Sequence, residues 1–123
     1  MSATGGEAPQ DLEIRHTSSV IYARLPGLKE KAWIAYEVKG NVMRILKTYT
    51  PPEYRGRGVA ARLTQYAVEL ARRNGWVIEP VCSYAIHYFI KHPELRQLLK
   101  PELRNADLRK LFEERLKEER SRH

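Results

Sequence analysis

Between residues 31 and 74 the apolar residues switch from a period of two to a period of about 3.6 across a short junction rich in Pro and Gly. In KAWIAYEV, Ala32, Ile34, Tyr36 and Val38 share one side while Trp33, Ala35 and Glu37 take the other, the pattern of a half-buried strand. Gly40-Asn41 tolerates the backbone of a tight hairpin, and NVMRILKTYT reads as the returning partner strand. From Val59 the spacing is helical. Val59, Leu63, Tyr66, Ala67 and Leu70 fall on one face, and Asn74-Gly75 supplies a left-handed stop. A hairpin that runs directly into a long amphipathic helix commits the chain to an α/β fold.

The flanks complete the pattern. Residues 11–24 hold a short alternating piece and then SVIYAR, with Pro26-Gly27 as turn punctuation, so they read as the first of three consecutive antiparallel strands. WVIEPVCS is a short β-rich run interrupted by Pro80, and YAIHYFIKH is a second helix stopped before Pro93. The expected order is β-β-β-α-β-α. The last strand follows a helical crossover and therefore runs parallel to its neighbour. Beyond Pro101 lies a charged helix with a narrow apolar stripe of Leu108, Leu111, Phe112 and Leu116. It either docks on the domain or pairs with a partner, including a second copy.

A length of 123 residues suits one modest core. The expected organisation is a disordered tail over 1–10, a folded domain over 11–100 and the charged helix over 101–123. The tail lacks the basic start and apolar run of a secretory signal, and no apolar run is long enough to span a membrane. A single cysteine, Cys82, excludes an internal disulfide and a zinc cluster built on sulfur, which points to a reducing, cytoplasmic setting. The +7 net charge is spread along the chain. It suits a small polyanion as partner, whereas nucleic acid would call for a concentrated basic arm or an aromatic-studded basic run.

The junction itself reads TYTPPEYRGRGVAARL, residues 48–63. Pro51 and Pro52 cannot donate ladder hydrogen bonds and end regular pairing. A helix start presents backbone N–H groups without partners, and glycines at 56 and 58 leave those groups approachable. Arg55 and Arg57 flank them, as an anion site requires. A basic surface turn with a capping glycine is the plainer reading of the same tetrapeptide.

These residues resemble the acyl-CoA-binding motif Q/R-x-x-G-x-G/A of the GNAT superfamily of N-acetyltransferases, matched at Arg55, Gly58 and Ala60. From about Ala32 to His92 the chain is similar to a minimal single-domain branch of that superfamily. Two further motifs carry the likeness, Lys47-Thr48-Tyr49-Thr50-Pro51 before the loop and Pro80-Val81-Cys82-Ser83-Tyr84 after the helix. The resemblance implies a GNAT-like mixed sheet with antiparallel N-terminal strands, then a helix, a parallel strand and C-terminal helices. It implies acetyl-CoA or CoA as co-substrate, in a gap where the strands on either side of the helix splay apart. Main-chain groups of Thr48, Tyr49 and Thr50 would meet the pantetheine arm. The pyrophosphate would lie on the amides of Gly56, Arg57, Gly58, Val59 and Ala60, beside Arg55.

Cys82 closes the strand that would flank the thioester. It reads either as a nucleophile that passes through an acetyl-cysteine or as a small residue packed beside the cofactor sulfur. Many members of the superfamily carry, after this strand, an asparagine and seven residues later a tyrosine that protonates the leaving thiolate. Cys82 and Phe89 stand at those positions, and Phe89 has no proton to give; Tyr84 and Tyr88 are its neighbours. Glu37 and Glu79 are candidate bases that also read as outward, solvated strand residues. His87 and His92 read as solvent-facing, and no carboxylate cluster suggests a metal.

Three readings follow. The first is an acetyl-CoA-dependent N-acetyltransferase of unknown amine acceptor. Its open acceptor side favours a protein lysine or N-terminus over an enclosed small molecule. The second is a module that binds CoA without turnover, and the third is a nucleic-acid-associated protein using the basic charge.

Overall fold

The computed structural model describes residues 12–122. The expected disordered tail over 1–10 lies outside the described residues. Five strands form one sheet whose spatial order is their order in the chain: β1 (Ile14–His16), β2 (Val20–Arg24), β3 (Lys31–Lys39), β4 (Val42–Tyr49) and β5 (Val77–Pro80). The first four are antiparallel, and β5 pairs parallel with β4 after the crossover helix α1 (Val59–Asn74). Two further helices follow, α2 (Ser83–Lys91) and α3 (Leu108–Ser121), with short 3-10 turns between them.

The first expected strand is in fact two. Thr17 turns the chain: its Oγ1 accepts from the N–H groups of Ser19 and Val20 at 3.2 and 3.1 Å, and its own N–H donates to the Val20 carbonyl at 2.8 Å. β1 and β2 thus make a small hairpin without glycine or proline, and the antiparallel run has four strands rather than three.

Alternation in β3 is as expected, with Ala32, Ile34 and Tyr36 buried and Trp33, Ala35 and Glu37 half-buried on the opposite face. The β3–β4 register shifts between Ala35 and Tyr36, which oppose Lys47 and Ile45. Leu46 is therefore an extra residue on β4, a bulge. Its effect is to bring Thr48 opposite Ile34, on the buried face, where strict alternation from Ile45 would have placed Lys47.

α1 packs across β2 to β5. Val59, Leu63, Thr64, Ala67, Val68, Leu70 and Ala71 are buried, and each fully buried large aliphatic side chain contributes about 1.5–3 kcal/mol. Tyr66 sits at the edge of that face and makes a 2.6 Å hydrogen bond with His16 Nδ1. Gly75 ends the helix at φ 71°, and its N–H donates back to Arg72.

The C-terminal helix uses its apolar stripe within the chain. α3 lies antiparallel to α2: Glu119 meets Ser83 at one end, Phe112 stacks on His87 with ring centroids 5.4 Å apart, and Leu108 is buried. His87, expected to face solvent, is covered by this contact. Among the described residues no strand pair follows α2; Leu99 makes one parallel bridge to Ile78, and the Lys100 N–H donates to the Ile78 carbonyl at 2.9 Å.

Candidate functional site

β4 is paired unequally along its length. Its first half is held on both sides, by β3 and by β5, but the β5 ladder ends at Ile45 opposite Pro80 while β3 pairing continues to Tyr49. Both Val81 and Cys82 donate their N–H groups to the Ile45 carbonyl, at 2.9 and 3.2 Å. Past that point the chain turns into α2, so among the described residues the β5-facing edge of residues 46–49 has no strand partner. The sheet opens there into a cleft, and at its floor Thr48 Oγ1 and Cys82 Sγ are in hydrogen-bond contact at 3.4 Å.

The mouth of the cleft is the Arg-Gly loop. Tyr54 anchors it by donating to the Pro26 carbonyl at 2.8 Å, and Arg55 Nε donates to the Thr50 carbonyl at 2.8 Å. Gly56 and Gly58 hold φ of 77° and 85°, in the region that residues with a Cβ rarely adopt. A Cβ at either would meet nothing within 4 Å, so glycine is needed for the backbone conformation, and the space above it is open. Gly58 is the N-cap of α1, and no side chain caps the helix start. Its first amides and its partial positive charge are thus free to meet an anion.

The sequence candidates divide between two cavities that share Thr48 and Tyr84. One, about 350 Å³, is lined by Thr48, Thr50, Arg55, Gly56, Gly58, Val59, Ala60 and Tyr84. The other, about 430 Å³, holds Trp33, Thr48, Tyr49, Cys82, Ser83 and Tyr84. Arg57 lines neither cavity. Its guanidinium lies over the Tyr54 ring, 4.5 Å from the centroid. Cys82 is a buried free thiol at the N-cap of α2. Glu37 and Glu79, weighed as bases, are each bound to Arg44 and line neither cavity. Among the described residues no three His, Cys, Asp or Glu side chains gather as a metal would need.

Two groups in the cleft were not chosen from sequence. Tyr84 lines both cavities, and burial, with smaller effects of Tyr88 and Cys82, pushes its hydroxyl above the usual tyrosine range. Its place in the Pro-Val-Cys-Ser-Tyr motif was the available signal. Phe89 is fully buried, and Tyr88 packs on Phe89 and His92 outside both cavities. The second group is Glu119, which lines the larger cavity from α3. Nothing local in the sequence marks it, because its partner Ser83 is 36 residues away.

This arrangement pairs an open helix start with an unpaired strand edge, a thiol and a protonated phenol in one cleft. The NMR solution structure of a GCN5-like protein from Staphylococcus aureus superimposes with a TM-score of 0.60 at 29% identity, over 75% of this chain and 91% of that one. A sequence model described as GCN5-related N-acetyl-transferase matches residues 21–98, from β2 through the turn after α2. With that match over more than half its length, the chain belongs to the GCN5-related N-acetyltransferase family.

Proposed function

We propose that the protein transfers the acetyl group of acetyl-CoA to a primary amine, and that the cleft between β4 and β5 holds the cofactor. The observation that carries this is the loss of β4–β5 pairing after Ile45, directly beside the uncapped start of α1. The family uses acetyl-CoA as co-substrate. The pyrophosphate lies on the amides of residues 56–60 beside Arg55, and Arg57 reaches it by leaving the Tyr54 ring. The pantetheine arm follows the free edge at Thr48, Tyr49 and Thr50 and brings the thioester to Cys82 and Tyr84. Residues 12–100 form the cofactor-binding unit and the cytoplasm is its setting. No described helix is long and apolar enough to cross a membrane.

Transfer requires an uncharged amine, a polarised carbonyl and a proton for the leaving thiolate. A lysine-like amine is only about 0.1% neutral near pH 7.4, which adds roughly 4 kcal/mol to the barrier unless a base removes the proton. Backbone N–H groups on the unpaired edge of β4 polarise the thioester oxygen. Tyr84, protonated at neutral pH as an ordinary phenol is, serves as the acid for the thiolate, the role for which Phe89 has no group. The acceptor side is open, which favours an amine on a protein.

A second reading, cofactor binding without turnover, rests on Phe89, which stands in the core where the family's proton donor is expected. One experiment separates them. The chain is titrated with CoA and acetyl-CoA while its melting temperature is followed, and then intact mass is recorded for the parent and for Cys82→Ser. Stabilisation by acetyl-CoA together with acetyl transfer supports the transferase. Stabilisation without transfer supports the binding module, and a melting temperature indifferent to both ligands rejects each. Cofactor affinity in Cys82→Ser should stay within about 1 kcal/mol of the parent. Transfer at the parent rate would make the cysteine a packing residue and direct attack by the amine the route.

A further inference from the structure

Glu119 is the one carboxylate among the residues that line the two cavities of the cleft. It comes from α3, beyond the segment 21–98 that the family model matches. Its two oxygens are fixed on one residue: Ser83 Oγ–H donates to Oε1 at 2.6 Å and the Ser83 N–H to Oε2 at 2.9 Å. Ser83 follows Cys82 directly and lines the same cavity. We propose that the Ser83 hydroxyl receives the proton of the incoming ammonium and relays it to Glu119, so that α3 supplies the proton sink for amine acceptors. This rests on the transferase reading above.

The serine hydroxyl has a single proton, which the carboxylate already holds by hydrogen bond, and its lone pairs remain to accept from a donor in the cavity. An ammonium placed there gives one proton to Ser83 Oγ as the serine proton passes to Glu119 Oε1. The freed lone pair forms the C–N bond with the thioester carbonyl. Collapse of the tetrahedral intermediate breaks the C–S bond, and the thiolate leaves with its electron pair and takes a proton from Tyr84. The amide nitrogen sheds its surplus proton to the tyrosinate, and Glu119 releases its own to solvent. The net products are amide, CoA thiol and one proton.

Charged and titratable groups face the same cavity from each element around Glu119. Lys47 faces the cavity from β4, and Cys82 and Tyr84 face it from the strand end and α2. On its own helix Arg122 shares the cavity, and Arg115 one turn back lies 3.4 Å from Glu118. His87, one turn along α2 from Ser83, is engaged with Phe112.

The test uses the full chain, acetyl-CoA and two acceptors: a lysine-containing peptide with a blocked N-terminus, which is an ammonium at neutral pH, and aniline, which is not. Glu119→Gln should lower transfer to the peptide by about 10²-fold at pH 7. The loss should shrink by about tenfold for each unit of rising pH, as the peptide amine deprotonates unaided. Transfer to aniline should fall less than about threefold, and the acetyl-CoA thermal shift should stay unchanged. Ser83→Ala, which keeps the N–H bond to Glu119 and removes only the relay, should show the same pH dependence. Equal losses for both acceptors, or an unaltered pH profile in either variant, would reduce Glu119 to a cap that braces α2 and overturn the relay. A parent that is stabilised by acetyl-CoA but acetylates neither acceptor at any pH removes the transferase reading, and the relay with it.

Discussion

Two helices begin at the same cleft and are finished in opposite ways. α1 starts on a left-handed glycine with no side chain on its first amides, while the first amide of α2 is already bound by the carboxylate of Glu119. Each helix start carries a comparable partial positive charge, worth about 0.3–1 kcal/mol to an anion in exposed settings and up to ~2 when partly buried. The chain satisfies one from within and leaves the other without a side-chain cap. The open start is where an exchangeable, multiply charged ligand gains most. The closed start holds Ser83 and the adjoining Cys82 in a fixed position, where chemistry needs geometry rather than affinity.

Removing the open start should have the largest effect. Gly58→Val forces a β-branched residue into φ near 85°, which turns the first amides of α1 out of line. At a ligand concentration of about 100 Kd the parent gains ~2.7 kcal/mol from acetyl-CoA, and the variant should gain almost none while its circular dichroism stays native. Equal thermal shifts in the two proteins would detach the loop from cofactor binding.

Next comes the residue at the junction of the two cavities. Tyr84→Phe should slow transfer by about 10²-fold, with the acetyl-CoA thermal shift preserved, if the phenol is the acid for the thiolate. Its pH signature has a definite sign. The folded Tyr84 ionises above the usual tyrosine value of about 10, so its contribution to stability is intact below that pH and is lost as pH rises through the folded value. Phenylalanine should remove that part of the alkaline loss, which a urea midpoint measured at pH 9 and 11 would show.

Opening the closed start is a smaller change. Glu119→Ala takes the cap from α2 and should cost about 0.5–2 kcal/mol, typically near 1, seen as a lower urea midpoint with the slope unchanged. No loss of stability would mean that the bond at Ser83 is formed without net gain.

The smallest effect comes from closing the open start. Ala61 is the third residue of α1 and lines the loop cavity, so Ala61→Glu can reach back to the helix start. The unliganded protein should gain about 0.3–1 kcal/mol, and acetyl-CoA should bind more weakly because the amides already have an anion. A variant that is more stable and binds acetyl-CoA as tightly as the parent would show that the two starts are not interchangeable.

Much of this was legible in the residues. The period switch at Val59, the hairpin at Gly40-Asn41, the stop at Gly75 and the parallel return of β5 follow from local spacing. The features that escaped depend on partners that local spacing does not reveal. The turn at Thr17 is made by a hydroxyl bonding two amides, with no glycine or proline to mark it. The bulge at Leu46 arises from how β4 pairs with β3, and it reverses which of Lys47 and Thr48 lies opposite Ile34 on the buried face. The stripe on α3 announced that something would cover it, but only the folded chain shows α2 beneath it and Glu119 against Ser83. For the candidate site, the motif pointed to the loop and the thiol, which line adjoining cavities. It did not distinguish Tyr84 in the cleft from Tyr88 in the core, because that depends on where α2 begins.

The strand order, which follows the chain from β1 to β5, bears on how the molecule comes together. Four strands meet their neighbours through short turns, whereas β4 and β5 meet only after the whole of α1 has been threaded between them, with Val42 opposite Val77. That contact closes the longest loop in the sheet and carries the greatest closure entropy, so it is the last pairing the chain is expected to make and the first it is expected to lose. The cleft is the unpaired continuation of that same contact. A cofactor lying along the free edge of β4 beside Thr48 and Cys82 would therefore act as a clip on the slowest seam of the fold, and its occupancy should be felt as slower amide exchange along β5 and the start of α2, well beyond the atoms it touches.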